Sequence, residues 1–239
     1  MKQFVLDGSN SILERGLLTS AFGGAHTKES AEFVLWAVAN QTEPELKLTA
    51  LSNLSGLGGA HPYLPAMIEP LWRESQEADV LKAVAMAMAG EAAPSSVELL
   101  LDAAAAPEGQ DDMRRSAASR ALPRIYRADA VPPLASALEK SAPGSRLNTI
   151  ALYTISQIGD ESAAQAVIGW FQGADSSAAP LVATWLGRAT ALSHQKAAQS
   201  ALNPSVPFRS EENREAIRVK LALIAEGTRS TIIDRRPKK

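Results

Sequence analysis

Of the chain's 239 residues, 46% are hydrophobic and only 5% aromatic, the excess being alanine and leucine, both strong helix formers, so almost no β-sheet is expected. A formal net charge of −2 and a pI near 6.0 argue against a general nucleic-acid binder, which needs a basic face to neutralise phosphates. With no cysteine, disulfides, thiolate zinc sites and cysteine nucleophiles are excluded.

The opening stretch, residues 1–9, has too few apolar residues before Asp7 and Gly8 for a signal peptide, so cytoplasm is the default expectation. No apolar run reaches the length of a membrane span. Residues 1–100 carry six Lys/Arg and twelve Asp/Glu, whereas residues 101–239 carry 18 and 14. That asymmetry either steers a charged partner or an end-to-end self-contact, or is drift in surface composition.

Helix starts recur along the chain. Thr27 precedes an acidic first turn, Thr42-Glu43-Pro44-Glu45 places proline in one, and Ser75-Gln76-Glu77 opens another. Pro65 and Pro70 predict a kinked or late-starting helix over Tyr63–Trp72, and Pro94, Pro107, Pro143 and Pro204 fall between helices. Pro132-Pro133 fits a first turn. Arg146–Ile158 reads as one helix and Glu161–Phe171 as the next. Gly159 suits a left-handed helix end and Asp160 suits a cap.

These elements repeat. Gly23-Gly24-Ala25-His26 recurs 35 residues later as Gly58-Gly59-Ala60-His61, and Leu35-Trp36 recurs 36 later as Leu71-Trp72. Ala50, Val84, Ala118 and Ala151 follow at intervals of 34, 34 and 33. Four residues after each come Leu54, Met88, Leu122 and Ile155, and three further on come Leu57, Glu91, Ile125 and Ile158. The spacing i, i+4, i+7 places each set on one helical stripe that a neighbour must cover, with Glu91 the misfit.

The stretch Arg146 to Phe171, with its arginine, alanine-bearing first helix, Ile158-Gly159-Asp160 turn and apolar second helix, resembles the HEAT-like repeats. In particular it resembles the short bacterial variety first described in phycobilisome lyases. Arg115–Leu138 is a second match, with Tyr126-Arg127 where Gly-Asp is expected. The resemblance implies an all-α, right-handed α-solenoid of about six antiparallel helix pairs over residues 10–226. It implies a C-terminal capping helix from Ser210, and residues 227–239 read as a flexible basic tail.

Candidate chemistry is sparse. His26 and His61 stand at equivalent turns, either as weak metal or acid–base candidates or as the residue of a duplicated turn. No metalloprotease, calcium-loop, phosphate-loop or nucleophile-elbow motif occurs, so no cofactor, metal or catalytic set is expected. Arg120, Arg124 and Arg127 are spaced as one helical stripe, with Arg114 and Arg115 upstream. They either clamp a carboxylate-rich or phosphorylated partner or pair with Asp102, Glu108, Asp111, Asp112 and Asp129. Trp36, Trp72 and Trp170 fall late in second helices, where they either line a binding groove or cover the seam between repeats.

The expectation drawn from this reading is a non-catalytic adaptor that holds another protein or peptide on a repeat-lined concave surface, with nucleic acid an unlikely partner. The alternatives are an accessory subunit of an enzyme, as the lyase resemblance implies, or a helical-repeat DNA glycosylase. The net −6 of the first hundred residues disfavours the latter.

Overall fold

The computed structural model describes residues 1–23, 27–57, 62–189 and 191–234. Among them there is no strand, and the chain divides into two compact units, Met1–Ile125 and Tyr126–Lys239. The first contains α1 (Lys2–Leu6), α2 (Ile12–Gly23), α3 (Lys28–Asn40), α4 (Pro44–Ser55), α5 (Leu64–Glu74), α6 (Ala78–Glu91), α7 (Pro94–Ala105) and α8 (Asp112–Ala121). Helices α2, α4, α6 and α8 stack as one layer and α3, α5 and α7 as a second. Each second-layer helix also packs on the first-layer helix that follows it.

The second unit contains α9 (Val131–Lys140), α10 (Arg146–Ile155), α11 (Glu161–Gly173), α12 (Val182–Arg188), α13 (Leu192–Ala201) and α14 (Glu211–Asp234). Here α9, α11 and α13 pack in succession, as do α10, α12 and α14. Neighbours in each row are joined through one intervening helix, the construction of an α-solenoid of HEAT-like repeats. Along the chain the first unit holds α2–α8 of these rows and the second α9–α13, with α14 as its last helix.

The repeating stripe is the core. Ala50, Val84, Ala118, Ala151, Leu54, Met88, Leu122 and Ile155 are all fully buried. Their partners three residues on, Leu57, Ile125 and Ile158, are buried as well but lie beyond the helix ends at Ser55, Ala121 and Ile155. The chain therefore leaves the helix a turn earlier than the apolar spacing predicts, and the last apolar residue plugs the interior from the turn. The misfit Glu91 is buried too, because its carboxylate accepts the Ala93 N–H at 2.8 Å at the start of α7.

Most boundaries follow the expected chemistry. Thr27 and Ser30 form a reciprocal capping box on α3, and Asp160 accepts the Ser162 N–H at 2.8 Å to start α11. Helix α5 begins at Leu64, with Pro65 in its first turn and Pro70 inside it. Gly159 differs from expectation. It is not among the residues of positive φ, and a Cβ there would sit 3.3 Å from the Ala191 Cβ, so close packing against the start of α13 fills the position. Helix α14 continues past Gly227 to Asp234, and residues 235–239 of the expected tail lie outside the described residues.

Candidate functional site

A cleft of about 450 Å³ opens in the first unit between the C-terminal ends of α5 and α7 and the start of α8. One wall is the face of α7 carrying Leu99, Asp102, Ala103 and Ala106, residues three or four apart and hence on one side of the helix. Trp72 and Arg73 from α5, Gln110 and Asp111 from the α7–α8 connection and Arg114 from α8 complete it. Gly109, at φ +83°, and Asp111, at φ +53°, turn the chain sharply here. Asp is among the few side chains that tolerate the left-handed region.

Arg114 holds the cleft together. Its Nε donates to the Trp72 carbonyl at 2.7 Å, and Nη2 donates to the carbonyls of Arg73 at 2.9 Å and Ser75 at 2.7 Å. Its Nη1 pairs with the Asp111 carboxylate. The guanidinium thus satisfies carbonyls that the end of α5 leaves unpaired, and its positive charge lies where the helix dipole is negative. Burial alone would raise the Asp111 carboxyl, but hydrogen bonds from the Arg114 side chain and backbone, aided by its charge, hold it below the usual carboxylate range. Arg73, Asp102 and Gln110 are exposed, and among the described residues none of their side chains has a hydrogen-bond or ion-pair partner.

The expected arginine stripe does not form as one helical face. Arg120 lies in the last turn of α8, Arg124 lies in a 3₁₀ turn over Leu122–Arg124 that contains Pro123, and Arg127 follows in extended backbone. Pro123, with no N–H and a fixed φ, stops the α-helix before the stripe is complete. Arg120 and Arg124 are exposed, whereas Arg127 pairs with Asp129 at 2.7 Å. Arg115 is neutralised by Asp112 at 2.6 Å, with Glu108 at 3.5 Å.

The tryptophans have separate surroundings. Trp72 is buried, with 3% of its surface exposed. Trp36 is half-buried beside Phe33, and the Lys2 ammonium lies 5.3 Å from its ring centroid. Trp170 is half-buried against Phe171 and lines a second cleft, of about 360 Å³, with Glu139, Asp175 and Arg209. His26 and His61 lie outside the described residues. Among the described residues no group of three or more His, Asp or Glu side chains is placed to hold a metal ion.

His194 is wholly buried, and the Trp185 indole N–H donates to its Nδ1 at 2.9 Å. Indole can only donate, so Nδ1 carries the lone pair and Nε2–H donates to the Ile158 carbonyl at 2.8 Å. Burial lowers its pKa despite that bond, and the ring is neutral.

Sequence reasoning missed the role shared by Arg114, Asn148 and Asn213. Each stands third in its helix, and its N–H is accepted by a capping side chain three residues earlier: Asp111 at 3.2 Å, Ser145 at 3.3 Å and Ser210 at 3.4 Å. Each then sends its own side chain to carbonyls at or beyond the end of an earlier helix. Asn148 reaches the Leu138 carbonyl, while Asn213 reaches those of Phe171, Ala174 and Asp175. A capping residue followed three positions on by Arg or Asn is the signal that marks all three.

No protein-family model matches the sequence, and no curated protein does. Among solved structures the chain is similar to human deoxyhypusine hydroxylase in complex with glycerol, at 16% identity and a TM-score of 0.36, over 92% of this chain and 82% of that one. That protein is an enzyme, which corrects the expectation of a non-catalytic scaffold drawn from the repeats, the sparse catalytic chemistry and the mixed-charge surface. At this similarity neither activity nor site residues pass from that protein to this chain. No helix of the described residues is long and apolar enough to cross a membrane.

Proposed function

We propose that the chain is an accessory subunit of an enzyme and that the cleft between α5, α7 and α8 engages that enzyme's substrate. The observation behind this reading is the cleft itself, whose volume of about 450 Å³ lies within the range of small-ligand sites. Its wall is held in place by the Arg114 clamp, so little ordering is needed on binding. With Arg114 saturated, Arg73 and Asp102 supply one free charge of each sign and Gln110 a neutral donor and acceptor. An accessory role also accords with the resemblance of Arg146–Phe171 to the short bacterial repeats of lyases, and the partner in this reading is the enzyme's own polypeptide.

Affinity capture from a native extract tests the reading, with wild type compared against an Arg73→Ala/Asp102→Ala variant of equal thermal stability. The expected result is one enzyme retained by wild type in the presence of its substrate and depleted by the variant. Equal retention by both chains, or capture of no enzyme, refutes it.

A further inference from the structure

The cleft of about 360 Å³ lies wholly within the second unit, between the end of α9 and the last turn of α11. Gly169 and Gly173, four residues apart and so on one side of α11, leave a bare strip of backbone beside Trp170. A Cβ at either glycine would meet nothing within 4 Å, so no packing contact fills the strip. Trp170 is half-buried, its ring set at 64° against the buried Phe171. The walls are braced by backbone bonds. The Arg209 N–H donates to the Gln172 carbonyl at 2.8 Å, and Asn213 Nδ2 donates to the carbonyls of Ala174 and Asp175 at 3.0 Å each.

Charge in this cleft is unequal, because two carboxylates, Glu139 and Asp175, line it with one cation, Arg209. Glu139 and Arg209 are exposed, and among the described residues neither side chain has a hydrogen-bond or ion-pair partner. Hydrogen bonds from the Ser177 hydroxyl and from its N–H, at 2.9 Å, hold the Asp175 carboxyl below the usual carboxylate range, aided by the charge of Arg209. An aromatic ring beside an excess of carboxylate selects an organic cation, whereas an anion would meet net negative charge. A guanidinium uses this set more completely than an ammonium. Its plane stacks on indole while its fork gives two N–H groups to one carboxylate, and an ammonium is a strongly hydrated point charge. Arg209 offers the same fork to a carboxylate on the ligand. We infer that the cleft binds an arginine residue bearing a free α-carboxylate, with its guanidinium between Trp170 and Glu139 and its carboxylate on Arg209. Free arginine and the C-terminal arginine of a polypeptide share that chemistry. The volume, at the lower end of small-ligand sites, suits a single residue.

The test follows the indole N–H resonances of the four tryptophans by NMR on the full chain at constant ionic strength, with Trp170→Phe assigning the Trp170 signal. L-Arginine is expected to move that signal saturably, with a Kd of about 1 mM for a ligand of this size. Citrulline, which keeps the shape without the charge, and lysine are expected to bind about tenfold more weakly. Gly173→Leu puts a side chain into the open strip while favouring helix, and it should abolish the shift at unchanged Tm. Glu139→Gln, at an exposed position without a partner, should erase the advantage of arginine over citrulline. Arg209→Gln should erase its advantage over agmatine, which lacks the carboxylate. Acetyl-glycyl-arginine binding as tightly as arginine assigns the site to a chain terminus, and its failure to bind where arginine does assigns the site to the free amino acid. A Trp170 signal unmoved by about 20 mM arginine overturns the proposal. So does citrulline or lysine matching arginine, a Gly173→Leu chain that responds as wild type does, or a preference over citrulline that survives Glu139→Gln.

Discussion

Replacing Asn213 isolates one of the joints between helices. Its Nδ2 lies 3.0 Å from each of the Phe171, Ala174 and Asp175 carbonyls, and the residue has no exposed surface. Two N–H groups serve three acceptors, so at least one is shared, and all three belong to the end of α11 and the residues just after it. At about 1 kcal/mol for each of two neutral hydrogen bonds, with a further contribution for carbonyls left dry, Asn213→Ala is expected to lose about 2–3 kcal/mol. Asn213→Asp keeps the shape but turns the donor into an acceptor. Its carboxylate either faces three carbonyls or takes up a proton, so the loss should be larger, about 4 kcal/mol at neutral pH, and should shrink in acid. The assay is urea unfolding followed by circular dichroism, with amide exchange at the end of α11 reporting the local change. An alanine variant within about 0.5 kcal/mol of wild type, or an aspartate variant as stable as the alanine one, would refute the reasoning.

Arg114→Lys preserves charge but loses the planar fork that reaches three carbonyls, so it should destabilise by about 1–3 kcal/mol and loosen the cleft, read as faster amide exchange at the end of α5. His194 has a folded pKa below its unfolded value near 6.5, so the unfolded chain takes up the proton first. Stability should therefore fall as pH drops through about 6.5, above the range in which carboxylates protonate, and His194→Gln should flatten the Tm profile there. A Cβ at Gly169 meets nothing within 4 Å, so Gly169→Ala should stabilise α11 by about 0.5–1 kcal/mol; the same change at Gly109, with φ +83°, should destabilise.

Much of the architecture was legible because burial in a stacked helix leaves a periodic trace. The sets beginning Ala50, Val84 and Ala118 locate α4, α6 and α8 of the first unit, the set beginning Ala151 locates α10 of the second, and all of them are buried. Helix ends were less legible where the side chains that define them are distant in sequence. Trp72, Arg73 and Ser75 are stapled by Arg114, about forty residues on, and no local pattern shows that bond. Spacing in the string also misled at Arg120, Arg124 and Arg127, since periodicity presumes a continuous helix and Pro123 ends it. The Gly159-Asp160 pair suggests a turn glycine, whereas the space at Gly159 is limited by Ala191 across the packing. The cleft residues Arg73, Asp102 and Gln110 carried no motif, because their common feature is a place in space.

The most direct test of the account is the rate of the captured enzyme as the purified chain is titrated in. The account predicts a saturable change in kcat/KM with wild type and none with Arg73→Ala/Asp102→Ala at equal folded concentration. An identical rate with wild type, with the variant and with no added chain would contradict it.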